Sequence, residues 1–225
     1  LTYLSVVWYA LFYSSNFFTN LNGANIAIVL LITFWAIRLG SFLFMRIHKD
    51  GEDKRFRTIK PSATQFFMTW TLQGLWVSLC SMCALTAISS DTGVVVNILF
   101  YIGFGLFLYG FFTEIVADMQ KTAFRSIPEN KDKFITTGLW AKSRHPNFFG
   151  EIVLWTGIAV MSFSSLKGLQ YLTLISPIFT YLLLVYVSGI RMLEARADKK
   201  WGNDKEYIKY KAETPALIIN YKKIQ

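Results

Sequence analysis

A chain of 225 residues that is 53% hydrophobic and 17% aromatic, with its charge gathered into a few blocks, is not an ordinary soluble domain. Its formal net charge of +9 would suit a nucleic-acid binder, yet 21 of the 23 Lys and Arg residues fall in three segments that separate or follow apolar runs. That distribution is the mark of membrane orientation, so nucleic acid is not invoked.

Apolar runs long enough to cross ~30 Å of hydrocarbon recur six times, at about 3–18, 25–45, 64–88, 94–116, 148–164 and 170–189. They predict an all-α polytopic membrane helix bundle, a single integral membrane domain over 1–225 with six transmembrane helices and cytosolic C-terminal helices. The chain starts at Leu1 rather than Met, which leaves room for a seventh, earlier helix. Its first run has neither a basic leader nor a small-residue cleavage site, so it is not read as a signal peptide. With six spans, the basic segments 46–60, 118–146 and 191–223 share one side, and the opposite loops near 19–24, 89–93 and 165–169 carry only Lys167. The positive-inside rule then puts the basic segments and both termini in the cytosol, with the bundle in the inner membrane of a bacterium or the endoplasmic reticulum of a eukaryote.

The second span holds Arg38 well inside its apolar run, where an arginine either snorkels, here toward Arg46, or serves a function. The loop 46–57 that follows mixes signs around Gly51 and reads either as a solvated connector or as a basic flap over a polyanionic cofactor. In the third span Cys80 and Cys83 form a C-x-x-C without further ligands or a soluble setting, so they are read as packing residues. Gln73 in the same span needs a partner if it is buried. Gly103, Gly105 and Gly110 in the fourth span allow close helix approach.

The fourth span runs on through Glu114, Asp118, Lys121 and Arg125, whose spacings of 4, 3 and 4 place them on one narrow helical stripe. Two acids in the C-terminal part of a helix oppose its dipole, and a local rule broken without visible compensation points to a site. The carboxylates could accept from an amide or a ribose hydroxyl, and Lys121 and Arg125 could meet phosphates. A solvated face with an Asp118–Lys121 pair is the plainer alternative. Next, Arg144-His145-Pro146 opens the fifth span: proline suits the first helical position, and free N–H groups beside two basic side chains favour an anion. The plainer reading is that these residues only anchor the span at the headgroups, which leaves Glu151 at its mouth unexplained. Asn147, Glu151 and Trp155 follow at i, i+4, i+8 and share a face. In the tail, Arg191, Glu194 and Asp198 form another one-sided stripe, stopped at Trp201-Gly-Asn203. Asp204 then caps a short helix bearing Tyr207 and Tyr210 that ends at Thr214-Pro215. No Gly-rich nucleotide motif is present, so a nucleotide would be held by helix ends and loops.

Together, Glu114-x-x-x-Asp118-x-Gln120-Lys121-x-x-Phe124-Arg125, the run Thr137 to Glu151, and Tyr207-x-x-Tyr210-x-x-x-Thr214-Pro215 resemble the steroid 5α-reductase-like superfamily. The closest likeness is to the branch of uncharacterised membrane proteins carrying that family's C-terminal domain; Gly51 to Arg55 and Leu72-Gln-Gly74 extend it over roughly 35–216. The resemblance implies a helical membrane reductase that uses NADPH to reduce a carbon–carbon double bond conjugated to a ketone, in a steroid or similar lipid entering from the bilayer. It implies that 114–155 and 188–216 form a cytosol-facing cofactor site. Within it, the resemblance places Glu114, Asp118 and Arg125 in the cofactor cavity, Phe134, Asn147 and Glu151 in the central motif, and Arg191 after the last span. Lys121, Arg144, His145 and Glu194 join them on spacing and charge. Hydride transfer would leave an enolate that needs a nearby donor; the family's early tyrosine and glutamate have no counterpart placed here, so the catalytic residues are unassigned. No metal and no obligatory protein partner are expected, beyond membrane lipids. The alternative class is an S-adenosylmethionine-dependent membrane methyltransferase of the isoprenylcysteine type, which shares an R-H-P helix start but usually pairs two glutamates where this tail reads Leu193-Glu-Ala-Arg-Ala-Asp198. A third possibility is a non-enzymatic lipid-binding or scaffold protein.

Overall fold

The computed structural model describes residues 2–13, 22–51, 56–187 and 189–221, and among these no strand occurs. Among the described residues, five helical segments are long and apolar enough to cross a membrane: Gly23–Lys49, Ala63–Ile88, Ile98–Ser126, Pro146–Ser165 and Gly168–Trp201. The expected first span is helical over Thr2–Tyr13 (α1), and its remainder, 14–18, lies outside the described residues, as do 52–55 of the basic loop and Lys222 and Lys223 of the tail. The chain is an all-helical membrane protein.

Local chemistry sets the helix ends. Asn22 caps α2 (Gly23–Asp50) by accepting from the N–H groups of Ala24 and Asn25. A short α3 (Phe56–Ile59) leads to Ser62, whose hydroxyl accepts from Gln65 N–H and starts α4 (Ala63–Ile88). The fourth span begins at Ile98 instead of near 94, because the Asn97 side chain accepts from Leu99 and Phe100 N–H and caps α5 (Ile98–Ser126). Pro146 opens α6 (Pro146–Ser162) as its fixed φ suggested. The last span is less regular than its apolar run predicts. It enters as a 3-10 helix over Gly168–Leu174, becomes α7 (Ile175–Leu182), and passes into a π-helical turn over Leu183–Val187. Beyond it lie α8 (Ile190–Trp201) and α9 (Lys205–Glu213), the latter capped by Asp204 as expected.

The chain forms two compact units, Leu1–Tyr101 with Ile158–Ser176, and Ile102–Gly157 with Pro177–Gln225. In the first, α1 buries Val7, Ala10 and Leu11, and Trp8 donates to Thr33 on α2 at 3.2 Å. Cys80 and Cys83 are fully buried and not joined in a disulfide, with Cys83 Sγ donating to the Thr173 carbonyl at 2.7 Å, which fits the packing role expected of them. Gln73 is exposed on α4. Arg38 is half-buried and lies over the Phe42 ring at 5.5 Å.

In the second unit, α5 and α6 run antiparallel and touch through glycine. A Cβ on Gly110 would sit 2.4 Å from the Gly150 carbonyl oxygen, one on Gly150 2.8 Å from the Glu114 nitrogen, and one on Gly157 2.6 Å from the Gly103 carbonyl oxygen. Gly105 meets nothing within 4 Å, so of the three glycines marked in the fourth span only Gly103 and Gly110 serve this approach.

Candidate functional site

The close crossing at Gly110 and Gly150 brings the backbone of Glu114 against α6, one turn from Asn147 and next to Glu151. Glu114 and Asp118 are 3% and 6% exposed, so the acidic half of the stripe is not a solvated face. The stripe emerges from the protein as it runs on, with Lys121 half-buried and Arg125 exposed. Lys121 places its ammonium 4.6 Å from the centroid of the Trp140 ring. Arg125 reaches past the end of its helix, donating through Nη1 to the carbonyls of Asn130 and Lys131 in the turn that follows.

The approach to α6 is fixed from both sides. Trp140 donates its indole N–H to the Ala117 carbonyl at 3.0 Å and packs with Ala117 and Ile135 in a buried cluster flanked by Phe124 and Leu139. Gln120 accepts from Leu139 N–H at 2.9 Å. Its amide lies where a Cβ of Gly138 would be, and Gly138 has φ +62, so both space and backbone demand glycine there. On the other side, the chain after α9 runs back along the loop: Arg144 N–H donates to the Pro215 carbonyl, Asn220 N–H to the Lys142 carbonyl, and Ser143 Oγ to the Leu217 carbonyl.

Between these supports sits the arrangement that the R-H-P start builds. Arg144 meets Glu194 of α8 with two prongs, Nε to Oε1 at 3.1 Å and Nη2 to Oε2 at 3.0 Å, while Nη1 donates to the carbonyls of Lys211 and Thr214. His145 Nε2 lies 2.8 Å from Glu194 Oε1. The anion that this helix start favours is thus supplied by the chain itself. Burial pushes the His145 pKa below its ordinary value, against the pull of Glu194, and the charges of Lys121 and Arg144 push the same way. The folded ring is therefore neutral near pH 7 and donates its Nε2–H to the carboxylate.

Phe134 packs its ring against Trp201, Tyr207 and Tyr210 at 5.8, 5.3 and 5.7 Å. Tyr210 donates to the Trp140 carbonyl at 2.6 Å, and Tyr207 to Asp198 at 2.9 Å. Burial raises the pKa of both phenols, so they remain protonated donors. A cleft of about 450 Å³ opens beside them, lined by Asp198, Gly202, Tyr207, Ile208, Lys211 and Ala212. Asn147 Oδ1 is buried without a hydrogen-bond partner among the described residues. Such an acceptor is costly unless something donates to it.

The structure therefore brings Arg144, His145 and Glu194 into direct contact, with Lys121 close enough for its charge to be felt at His145. Arg191 is exposed on α8 and Arg125 is held at the end of α5; neither takes part in that contact network. The sequence reading passed over Gln120 and Trp140, whose side chains meet backbone groups, and Lys211 and the 215–221 return, which lend backbone groups of their own; the Trp and Gln inside the quoted motifs were the available signal for two of them.

Fold and site together define a helical membrane protein with a polar, internally braced cluster formed by α5, the loop before α6, and α8 and α9. Residues 2–214 match the family described as "protein of unknown function (DUF1295)", and the chain belongs to that family, which is related to steroid 5α-reductase-like membrane proteins. The chain is also similar to a probable O-methyltransferase, ustE, of Ustilaginoidea virens: 32% identical over 116 residues, covering 45% of this chain and 41% of that protein. It thus spans about two fifths of the length of the curated relative it matches. No solved structure matches the chain.

Proposed function

We propose that this protein is a membrane-embedded, NADPH-dependent reductase of a carbon–carbon double bond conjugated to a ketone in a steroid or other lipid. The observation that carries the reading is the orphaned Asn147 Oδ1, buried at the start of α6 on the face it shares with Glu151. It offers an acceptor to a ligand N–H, as a carboxamide would present. Glu114, Asp118 and Glu151 would accept from ribose hydroxyls, and Lys121, Arg125 and Arg191 would meet phosphates. The dinucleotide, when bound, supplies the hydride. Phe134 would brace the wall with Tyr207 and Tyr210, while Arg144, His145 and Glu194 would hold the α6 start in place. The basic segments and both termini would face the cytosol, whether in a bacterial inner membrane or the endoplasmic reticulum, with the cofactor entering from that side and the lipid from the bilayer.

A methyltransferase using S-adenosylmethionine is the second reading, favoured by the printed name of the Ustilaginoidea virens relative. Its ligand also presents N–H donors and hydroxyls but carries no phosphate, so the two readings separate on the basic residues.

The test is thermal unfolding of purified protein with NADPH, NADH or S-adenosylmethionine, since a ligand that binds only the folded state raises its stability. Stabilisation by NADPH supports the reductase. Stabilisation by S-adenosylmethionine alone replaces it with the methyltransferase.

A further inference from the structure

Helix α8 follows directly on an apolar stretch whose last residues, Tyr186 and Val187, are exposed. Its own acids are occupied on the protein side. Glu194 is held by Arg144 and His145, and Asp198 by the Lys211 ammonium at 2.6 Å and the Tyr207 hydroxyl at 2.9 Å. Lys200 pairs with Asp132 at 2.8 Å. Arg191, Arg196 and Lys199 are left, all exposed and none paired with an acid among the described residues. At about 100° per residue, Arg191, Ala195, Lys199, Met192 and Arg196 succeed one another across an arc of roughly 140°. Three uncompensated cations therefore alternate with an alanine and a methionine that is 45% exposed, on a helix that closes the span Gly168–Trp201.

We propose that this face of α8 binds anionic phospholipid headgroups of the leaflet at which the span ends. Long cationic side chains there can lay their stems along the acyl boundary and direct their charges to phosphodiesters, while Met192 and Ala195 rest between them. Bulk water would leave the exposed Met192 without a role, and an acidic protein surface would leave unused the neighbouring apolar Tyr186 and Val187. This inference does not depend on the cofactor reading, although Arg191 figures in both.

The experiment uses the full chain purified in detergent and reads, by native mass spectrometry, the phosphatidylglycerol retained from mixed micelles that also contain phosphatidylcholine. Arg191 is left intact. The wild type is expected to retain phosphatidylglycerol selectively, and Arg196→Gln with Lys199→Gln to weaken retention by about fivefold per cation removed. Lys205→Gln with Lys209→Gln, an exposed pair on α9, should leave retention unchanged. A salt titration of the wild type reads the same contact without substitution, retention falling as salt rises. Three results would overturn the proposal: equal retention in the α8 variant, equal losses from both pairs, or loss of stabilisation by inorganic pyrophosphate in the α8 variant with lipid retention intact. The last would give the face to a soluble phosphate ligand.

Discussion

Arg144 and Glu194 face each other as a two-pronged pair, at 3.1 and 3.0 Å, with only 14% and 17% of their side chains exposed. Fifty positions apart in sequence, they tie the start of α6 to α8, and the other arm of Arg144 reaches the carbonyls that close α9. Removing one partner of such a pair leaves a poorly solvated charge. Glu194→Gln should therefore destabilise the protein by roughly 3 kcal/mol. Lys200→Gln breaks a pair that is 44% and 83% exposed and should leave the unfolding temperature unchanged. Thermal unfolding in detergent separates the two; equal effects would deny Glu194 its bracing role.

The neutral His145 makes that brace sensitive to acid. Because burial holds its folded pKa below the usual 6.5, the unfolded chain takes up a proton first as pH falls. Stability from this group is full above about 6.5, drops as pH goes below it, and levels off once the folded ring also titrates. Unfolding temperatures measured from about pH 7.5 to 5.5 should fall more for wild type than for His145→Gln, which keeps a donor toward Glu194 without titrating. Parallel curves would contradict a neutral His145.

Glycine packing between α5 and α6 predicts a sharp contrast between a glycine at the crossing and one away from it. Gly150→Ala drives a methyl to within 2.6 Å of the Gly110 carbonyl oxygen and should cost about 1–3 kcal/mol, displacing Glu114 with it. Gly105→Ala enters open space and should be neutral or stabilising by up to about 1 kcal/mol. Melting temperatures of the two variants provide the check.

Arg125 is the basic residue best suited to discriminate a 2′-phosphate, since of its nitrogens Nη1 alone is hydrogen-bonded among the described residues and the side chain is exposed. Arg125→Gln is expected to lower the ratio of NADPH to NADH affinity roughly tenfold, the loss of one charge-assisted contact. An unaltered ratio in equilibrium binding would remove Arg125 from the phosphate.

Much of the helical order was legible because it rests on local signals: Pro146 starting a helix, Asp204 capping one, and Trp201-Gly-Asn203 ending one. The late start at Ile98 was missed because apolar Val94, Val95 and Val96 extend the hydropathy run past the Asn97 cap. The last span looked uniform because hydropathy does not register the change of winding from 3-10 through α to π. In the site, the stripe of Glu114 and Asp118 was visible from spacing, and their burial agrees with a face set apart from solvent. The pairing of Arg144 with Glu194 was not visible, since spacing says nothing of which distant helix a cation will meet. Contacts made through backbone carbonyls, such as those of Lys211 and Pro215, leave no mark on residue type at all.

The account stands most directly on Asn147. Its orphaned oxygen costs the empty protein stability and is expected to repay that cost in ligand binding. The decisive measurement is the thermal shift produced by saturating NADPH in wild type and in Asn147→Ala. The account predicts an unliganded Asn147→Ala that melts at the wild-type temperature or higher, with the NADPH-induced shift largely lost. A variant that melts lower when empty yet keeps the full NADPH shift would contradict it.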